Sequence, residues 1–195
     1  MFVTNNSNSF ELYDWLRQQC TAHIYSERLQ ICQVRNLMPD MIISYNYKYI
    51  ISEDIIDYMD GRIFNLHTSY LPWNRGANPN IWSFIDHTPK GVTIHQISKG
   101  LDEGKILYQK QCFFDTDKET FKTSYHKLNR EIAALLKEKW SEIEAGEYQM
   151  LEQIGEGSYH TKKDLDILKE KIEFDWDVNI AEFLCKYEKL SKDEI

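Results

Sequence analysis

Apolar positions along this chain fall into short runs separated by helical stripes. Phe2 to Thr4 is a short apolar run, Asn5 to Ser9 is polar, and beyond it Leu12, Trp15 and Leu16 share one face of a helix that Ser9 can cap. A short strand is predicted at Ala22 to Tyr25. Ser26 is the expected cap of a second helix running to Leu37, where Met38-Pro39-Asp40 ends it. The continuous run Met41-Ile42-Ile43 suits a strand buried on both faces, as in parallel sheets. Ser52 then caps a helix through Tyr58, and Asp60-Gly61 turns the chain into a strand from Arg62 to His67. Strands alternating with helices predict an open α/β sheet.

The pattern then changes. Gly91 to Ile97 and Lys105 to Phe114 read as strands joined only by Ser98 to Gly104, too short for a crossover helix, so they are expected to be antiparallel neighbours in a mostly parallel sheet. Thr116-Asp117-Lys118-Glu119 has the form of a capping box. After it, Phe121, Tyr125, Leu128, Ile132, Leu135, Leu136, Trp140 and Ile143 follow helical spacing, with Gly146 at the exit. From Leu151 the signal weakens, and Lys162 to Lys171 reads as a charged helix. The expected organisation is a catalytic domain at 1–150 and a helical extension at 151–195 packed on it.

Composition removes several classes of function. A chain of 195 residues with 42% hydrophobic and 28% charged residues fits one ordinary folded domain. A net charge of -8 has the wrong sign for a protein whose main task is neutralising nucleic-acid phosphates. No run of 18 apolar residues suggests a membrane span, and MFVTNNSNSF lacks the features of a secretory signal, so a cytoplasmic location is expected. Cys20, Cys32, Cys112 and Cys185 form no C-x-x-C pair and the six histidines no H-x-x-x-H, so no metal is expected. The turn after the first strand contains no glycine, which argues against a dinucleotide-binding site.

Asn65 and His67 stand two apart at the end of a strand, so their side chains leave one face where open α/β sheets place their ligands. A carboxamide and an imidazolium form a pair of donors suited to an oxyanion. Asp102 lies between Gly100 and Gly104, on a loop able to turn back sharply toward them. Taken alone, the same residues also read as a hydrogen-bonded pair and a turn aspartate.

Their setting adds more. The stretch FNLHTSYLPWNRGANPNIWSFIDHTPKGVTIHQISKGLDEGKILYQ resembles the signature region of the folate-dependent formyltransferases, with Asn-x-His, Leu-Pro, Arg-Gly, Gly-Val-Thr and Leu-Asp-x-Gly in order. The likeness is dense from Pro39 to Gln111 and looser on either side. It implies the Rossmann-like formyltransferase fold, with C-terminal helices, and 10-formyltetrahydrofolate as co-substrate. It further implies catalysis by Asn65, His67 and Asp102. Tyr45 to Ile51 aligns with the family segment that recognises the pterin, so Tyr47, Lys48, Tyr49 and Ile50 are expected at the cofactor, with Gly100 and Leu101 closing its other side. Packing at the end of the sheet is the other reading of the tyrosines. Trp73, Asn74 and Arg75 are the expected acceptor contacts, with Arg75 able to meet a phosphate or pair with a nearby carboxylate.

Within the family, glycinamide ribonucleotide transformylases carry a glycine- and serine-rich turn after the first strand, where this chain has Asn5-Asn6-Ser7-Asn8-Ser9. Methionyl-tRNA formyltransferases add an RNA-binding barrel for which the length and charge here are unsuited. The wording SYLPWNRG, NPNIWS and GSYHTKKDL is most similar to the enzymes that formylate nucleotide-linked dideoxy amino sugars. The resemblance therefore implies an amine on a nucleotide-linked sugar as partner, no nucleic acid and no membrane, with a homodimer left open. Glycinamide ribonucleotide transformylase, a formyltetrahydrofolate hydrolase and a non-catalytic folate-binding protein are the alternatives. The abrupt turn after the Asn65-His67 strand also predicts a cis peptide at Leu71-Pro72.

Overall fold

A computed structural model describes residues 1–193. In chain order the elements are β1 (Phe2–Val3), a 3-10 turn (Ser7–Ser9), α1 (Phe10–Gln19), β2 (Ile24–Tyr25), α2 (Ile31–Leu37), β3 (Ile42–Tyr45), α3 (Glu53–Met59) and β4 (Ile63–His67). There follow β5 (Arg75–Gly76), α4 (Pro79–Ile85), β6 (Lys90–Gln96), β7 (Ile106–Cys112), α5 (Phe121–Ala145), β8 (Tyr159–His160), α6 (Lys162–Lys171) and α7 (Ile180–Asp193). Six strands form one sheet in the order β2-β1-β3-β4-β6-β7, and β5 pairs with β8 separately. The chain divides into two compact units. The first comprises Met1–His67, Ile94–Tyr108 and Glu142–Gln153, and the second Thr68–Thr93, Gln109–Ser141 and Ile154 onward.

In the first unit, β2, β1, β3 and β4 are parallel, with Phe2 opposite Ile43 and Ser44 opposite Asn65. All four residues of β3 are buried; Ile42 and Ile43 belong to the predicted apolar run, and the strand goes on through Ser44 and Tyr45. Val3, Leu29, Val34, Ile42, Ile51, Ile55, Met59 and Ile63 form its core. Each fully buried aliphatic side chain contributes about 1.5–3 kcal/mol over an exposed one. α2 begins at Ile31, five residues beyond the expected cap. Gln30 and Gln33 cap it reciprocally, because Ser26 to Leu29 are held in a loop: the Ser26 carbonyl accepts from the Asn5 amide, and the Leu29 N–H donates to the Tyr47 hydroxyl at 2.8 Å. At the other end of this unit's sequence, the Gln96 N–H donates to the Lys105 carbonyl at 2.8 Å. In the second unit Gly91 lies against Lys110 and Gln111, so β6 and β7 run antiparallel.

The second unit has its own core. Ile81, Trp82, Phe84 and Ile85 from α4 pack with Phe121 from α5 and with Leu165, Leu168, Ile172, Ile180 and Phe183 from α6, α7 and their connection. Phe121 lies amid Phe84, Phe174 and Phe183, with ring centroids 5.1 to 6.0 Å away. α5 is capped by Thr120 rather than by Thr116. The Thr120 hydroxyl accepts the Thr123 N–H at 3.1 Å and the Thr123 hydroxyl accepts the Thr120 N–H at 2.9 Å. The expected box does not form because the Glu119 N–H donates to the Asp115 carbonyl at 3.0 Å and the Glu119 carboxylate accepts from the Thr123 hydroxyl. Leu71-Pro72 is cis, as the turn predicts.

Candidate active site

β4 carries Asn65 and His67 to the carboxyl end of the parallel strands, where a ligand crevice is expected. The third residue comes from the turn between β6 and β7. Asp102 adopts a left-handed conformation there with φ 55, which aspartate tolerates better than most residues. Gly104 is required two residues on, since a Cβ at that position would run into the Gln96 carbonyl. The turn thus brings the carboxylate of Asp102 among the strand-end side chains. Asp102 Oδ1 lies 3.4 Å from Asn65 Nδ2, and Oδ2 lies 3.8 Å from His67 Nε2.

A fourth residue joins these three. His95, on β6 and 1% exposed, puts Nε2 3.2 Å from Asn65 Nδ2 and 3.4 Å from Asp102 Oδ1. Its Nδ1 is 2.8 Å from the Gln96 carbonyl oxygen, which can only accept, so Nδ1 carries a hydrogen. In the neutral ring Nε2 therefore accepts from the Asn65 amide, and when protonated it donates to Asp102. The two imidazoles stand nearly perpendicular, 85° apart with centroids 6.0 Å distant. Sequence reasoning missed His95, although it stands on the same face of its strand as Thr93 in the Gly-Val-Thr-Ile-His run. A carboxamide, two imidazoles and a carboxylate around one point can hold an oxyanion and move a proton, with no serine or cysteine nucleophile among them. Among the described residues no group of histidine, cysteine and carboxylate side chains is arranged to hold a metal ion.

The residues expected at the cofactor lie in the same unit. The Tyr47 hydroxyl accepts from Leu29 N–H and donates to the Glu27 carbonyl at 2.5 Å, holding that loop, and burial pushes its phenol up. Tyr49 lies edge-on to Tyr47, with Arg28 and Lys48 over its ring at 5.1 and 4.9 Å. Ile50 and Leu101 are exposed apolar side chains, 78% and 48% accessible, and Gly100 accepts from the Ser98 hydroxyl through its carbonyl at 3.2 Å.

The second unit holds the residues expected at the acceptor. Trp73 and Arg75 are half-buried, and Arg75 lies on β5 opposite Tyr159 of β8. Asn74 is buried: its Nδ2 donates to the Thr88 hydroxyl at 2.7 Å, and its Oδ1 accepts from the Ser158 hydroxyl at 3.3 Å. It holds the loop on which its two neighbours stand. Elsewhere in this unit the His160 ring stacks on Trp82, 4.1 Å between centroids and 3° from parallel, and pairs with Asp86 at 2.6 Å.

The cluster stands at the carboxyl end of β4 in an open, mostly parallel sheet. The chain belongs to the formyl transferase family, which it matches over residues 11–138. It is 38% identical over 117 residues to the bifunctional polymyxin resistance protein ArnA of Wigglesworthia glossinidia brevipalpis, a match covering 55% of this chain and 18% of ArnA. It is 29% identical over 155 residues to the dTDP-4-amino-4,6-dideoxyglucose formyltransferase of Mycobacterium tuberculosis, covering 80% of this chain and 64% of the relative. The chain thus matches less than two-thirds of the length of either relative. Among solved structures it is similar to the formyltransferase PseJ from Anoxybacillus kamchatkensis in complex with UDP-4,6-dideoxy-4-formamido-L-AltNAc and tetrahydrofolate. That match has 35% identity and a TM-score of 0.84, and covers 93% of this chain and 96% of PseJ.

Proposed function

We propose that the chain transfers a formyl group from 10-formyltetrahydrofolate to the amine of a nucleotide-linked amino sugar. The observation that carries this reading is the convergence of Asn65, His67 and Asp102 at the end of β4. The membership of the formyl transferase family and the likeness to PseJ, which binds a formamido sugar nucleotide with tetrahydrofolate, support the substrate classes. The exposed Ile50 and Leu101 suit an aromatic heterocycle that would cover them.

In this mechanism the neutral acceptor amine attacks the formyl carbon, and the carbonyl oxygen becomes an oxyanion. The Asn65 amide and protonated His67 stabilise that charge, one Asn65 hydrogen turning from its resting partner to do so. Asp102 keeps His67 charged and, directly or through a water, accepts the proton released by the attacking nitrogen. The oxyanion then re-forms the carbonyl as the carbon–nitrogen bond to the folate breaks, and the folate nitrogen takes up, from Asp102 directly or through the same water, the proton that the amine released. Because the amine must arrive uncharged while His67 stays protonated, activity is expected to peak at neutral to mildly alkaline pH.

The test measures tetrahydrofolate release with a panel of thymidine-, uridine- and guanosine-linked amino sugars beside glycinamide ribonucleotide and aminoacyl-tRNA. Turnover with a sugar nucleotide alone is expected. Efficient turnover of glycinamide ribonucleotide, or formate release that needs no acceptor, would overturn the assignment.

A further inference from the structure

Gln153 lies 51 residues beyond Asp102, in the stretch that follows α5 and within the same compact unit. Its Nε2 donates to the Asp102 carbonyl at 2.7 Å and to the Gly104 carbonyl at 2.8 Å. These bonds use both hydrogens of the amide, and both acceptors belong to the turn that carries the site's carboxylate. The reach of Gln153 is fixed two residues earlier. Leu151 exchanges a pair of backbone hydrogen bonds with Ile106 at the start of β7, at 2.8 and 2.9 Å.

We infer that Gln153 is a positioning residue, which sets the Asp102 carboxylate against His67 and His95 by clamping the backbone of its turn. This inference rests on the proposed function for its catalytic consequence, though its geometric consequence does not depend on it. Within the turn, Glu103 N–H reaches the Gly100 carbonyl at only 3.5 Å, a weak closure for a left-handed aspartate. The clamp supplies two shorter bonds from outside. The carboxylate stands 3.4 to 3.8 Å from Asn65, His67 and His95, so a small rotation of the turn carries it out of range. A misplacement of about 1 Å can cost on the order of a hundredfold in rate.

The test compares Gln153→Leu, similar in size and without donors, with Gln153→Lys, whose ammonium can donate to both carbonyls. The first readout needs no acceptor: NMR titration of the His67 imidazole in the free protein. The titratable groups set against Asp102 are His67 from β4 and His95 from β6. In Gln153→Leu the His67 titration is expected to move to lower pH as the carboxylate withdraws; Gln153→Lys is read by kcat alone, because its ammonium also disfavours the nearby imidazolium. The second readout is kcat with the sugar nucleotide. A loss of about tenfold or more is expected in Gln153→Leu, largely restored in Gln153→Lys. A His67 titration identical in wild type and Gln153→Leu would overturn the inference, whichever acceptor the enzyme uses. Absence of sugar turnover by the wild type, with the His67 shift present, would overturn the functional reading and leave the clamp standing.

Discussion

The chemistry proposed here depends on a few side chains whose distances are set by backbone. Asn65 and His67 could be placed on one strand face from their spacing, while their candidate roles came from the family resemblance. His95 was not legible, because one histidine within an apolar strand carries no spacing signal of its own. Its partners come from β4 and from the turn after β6. Gln153 was hidden for a similar reason, since its bonds to Asp102 and Gly104 span 51 and 49 residues. His67→Asn, Asp102→Ala and Asn65→Ala are each expected to lower kcat by about a hundred- to thousandfold, with a much smaller change in the Michaelis constant for the folate, because their interactions strengthen as charge develops. Steady-state kinetics with each substrate varied in turn checks this, and near-normal turnover in His67→Asn would remove the mechanism. Arg75→Ala should raise the acceptor's Michaelis constant while leaving that of the folate nearly unchanged, as expected for a cation that contacts the acceptor and not the folate. An equal rise in both constants would count against that role.

Among the elements, the buried parallel strands and the long α5 followed their apolar pattern closely, whereas caps and short buried helices did not. α4 escaped because Asn80 to Ile85 are all buried, leaving no polar face and hence no amphipathic stripe. α5 and α2 began later than their polar signals suggested, since Asp115 and Thr123 took the Glu119 groups and the Tyr47 hydroxyl took the Leu29 N–H that the expected caps needed. α6 has a complete capping box: Asp164 accepts the Thr161 N–H at 2.6 Å and its hydroxyl at 2.9 Å, while the Thr161 hydroxyl accepts the Asp164 N–H at 3.3 Å. The Thr161 backbone N–H first, and then its hydroxyl, hold the Asp164 carboxyl below its ordinary value of 3.8. A carboxyl depressed in the folded state stabilises it above the unfolded value, and that contribution fades as pH falls through the folded one. Asp164→Asn keeps an acceptor but removes the titration. The fall in Tm between neutral and acidic solution should therefore be smaller in this variant than in the wild type, as calorimetry at a series of pH values would measure. An unchanged acid dependence would count against the box.

At the scale of the whole molecule, the apolar core of the second unit draws on residues from 81 to 183. The sequence foretold a charged helix in this region but not how its apolar side would be covered, because α4, α5, α6 and α7 are far apart along the chain. Phe183 is fully buried against Phe121, Phe174 and Tyr187. Phe183→Ala is expected to cost about 3–5 kcal/mol, read as a lowered denaturant midpoint. A loss below about 1 kcal/mol would mean that this centre contributes little to stability.

The path of the chain also bears on how the protein is made. Its segments belong in turn to the first, second, first, second, first and second unit, so the backbone passes between them five times. A nascent chain that has delivered β4 and the Asp102 turn still lacks Glu142–Gln153, the last piece of the first unit. The second unit waits longer, until Phe183 has emerged to meet Phe121. Because domains generally fold as units during synthesis, most of this polypeptide leaves the ribosome before either unit can close. Its early apolar strands therefore stay without the rest of their unit's core through most of synthesis.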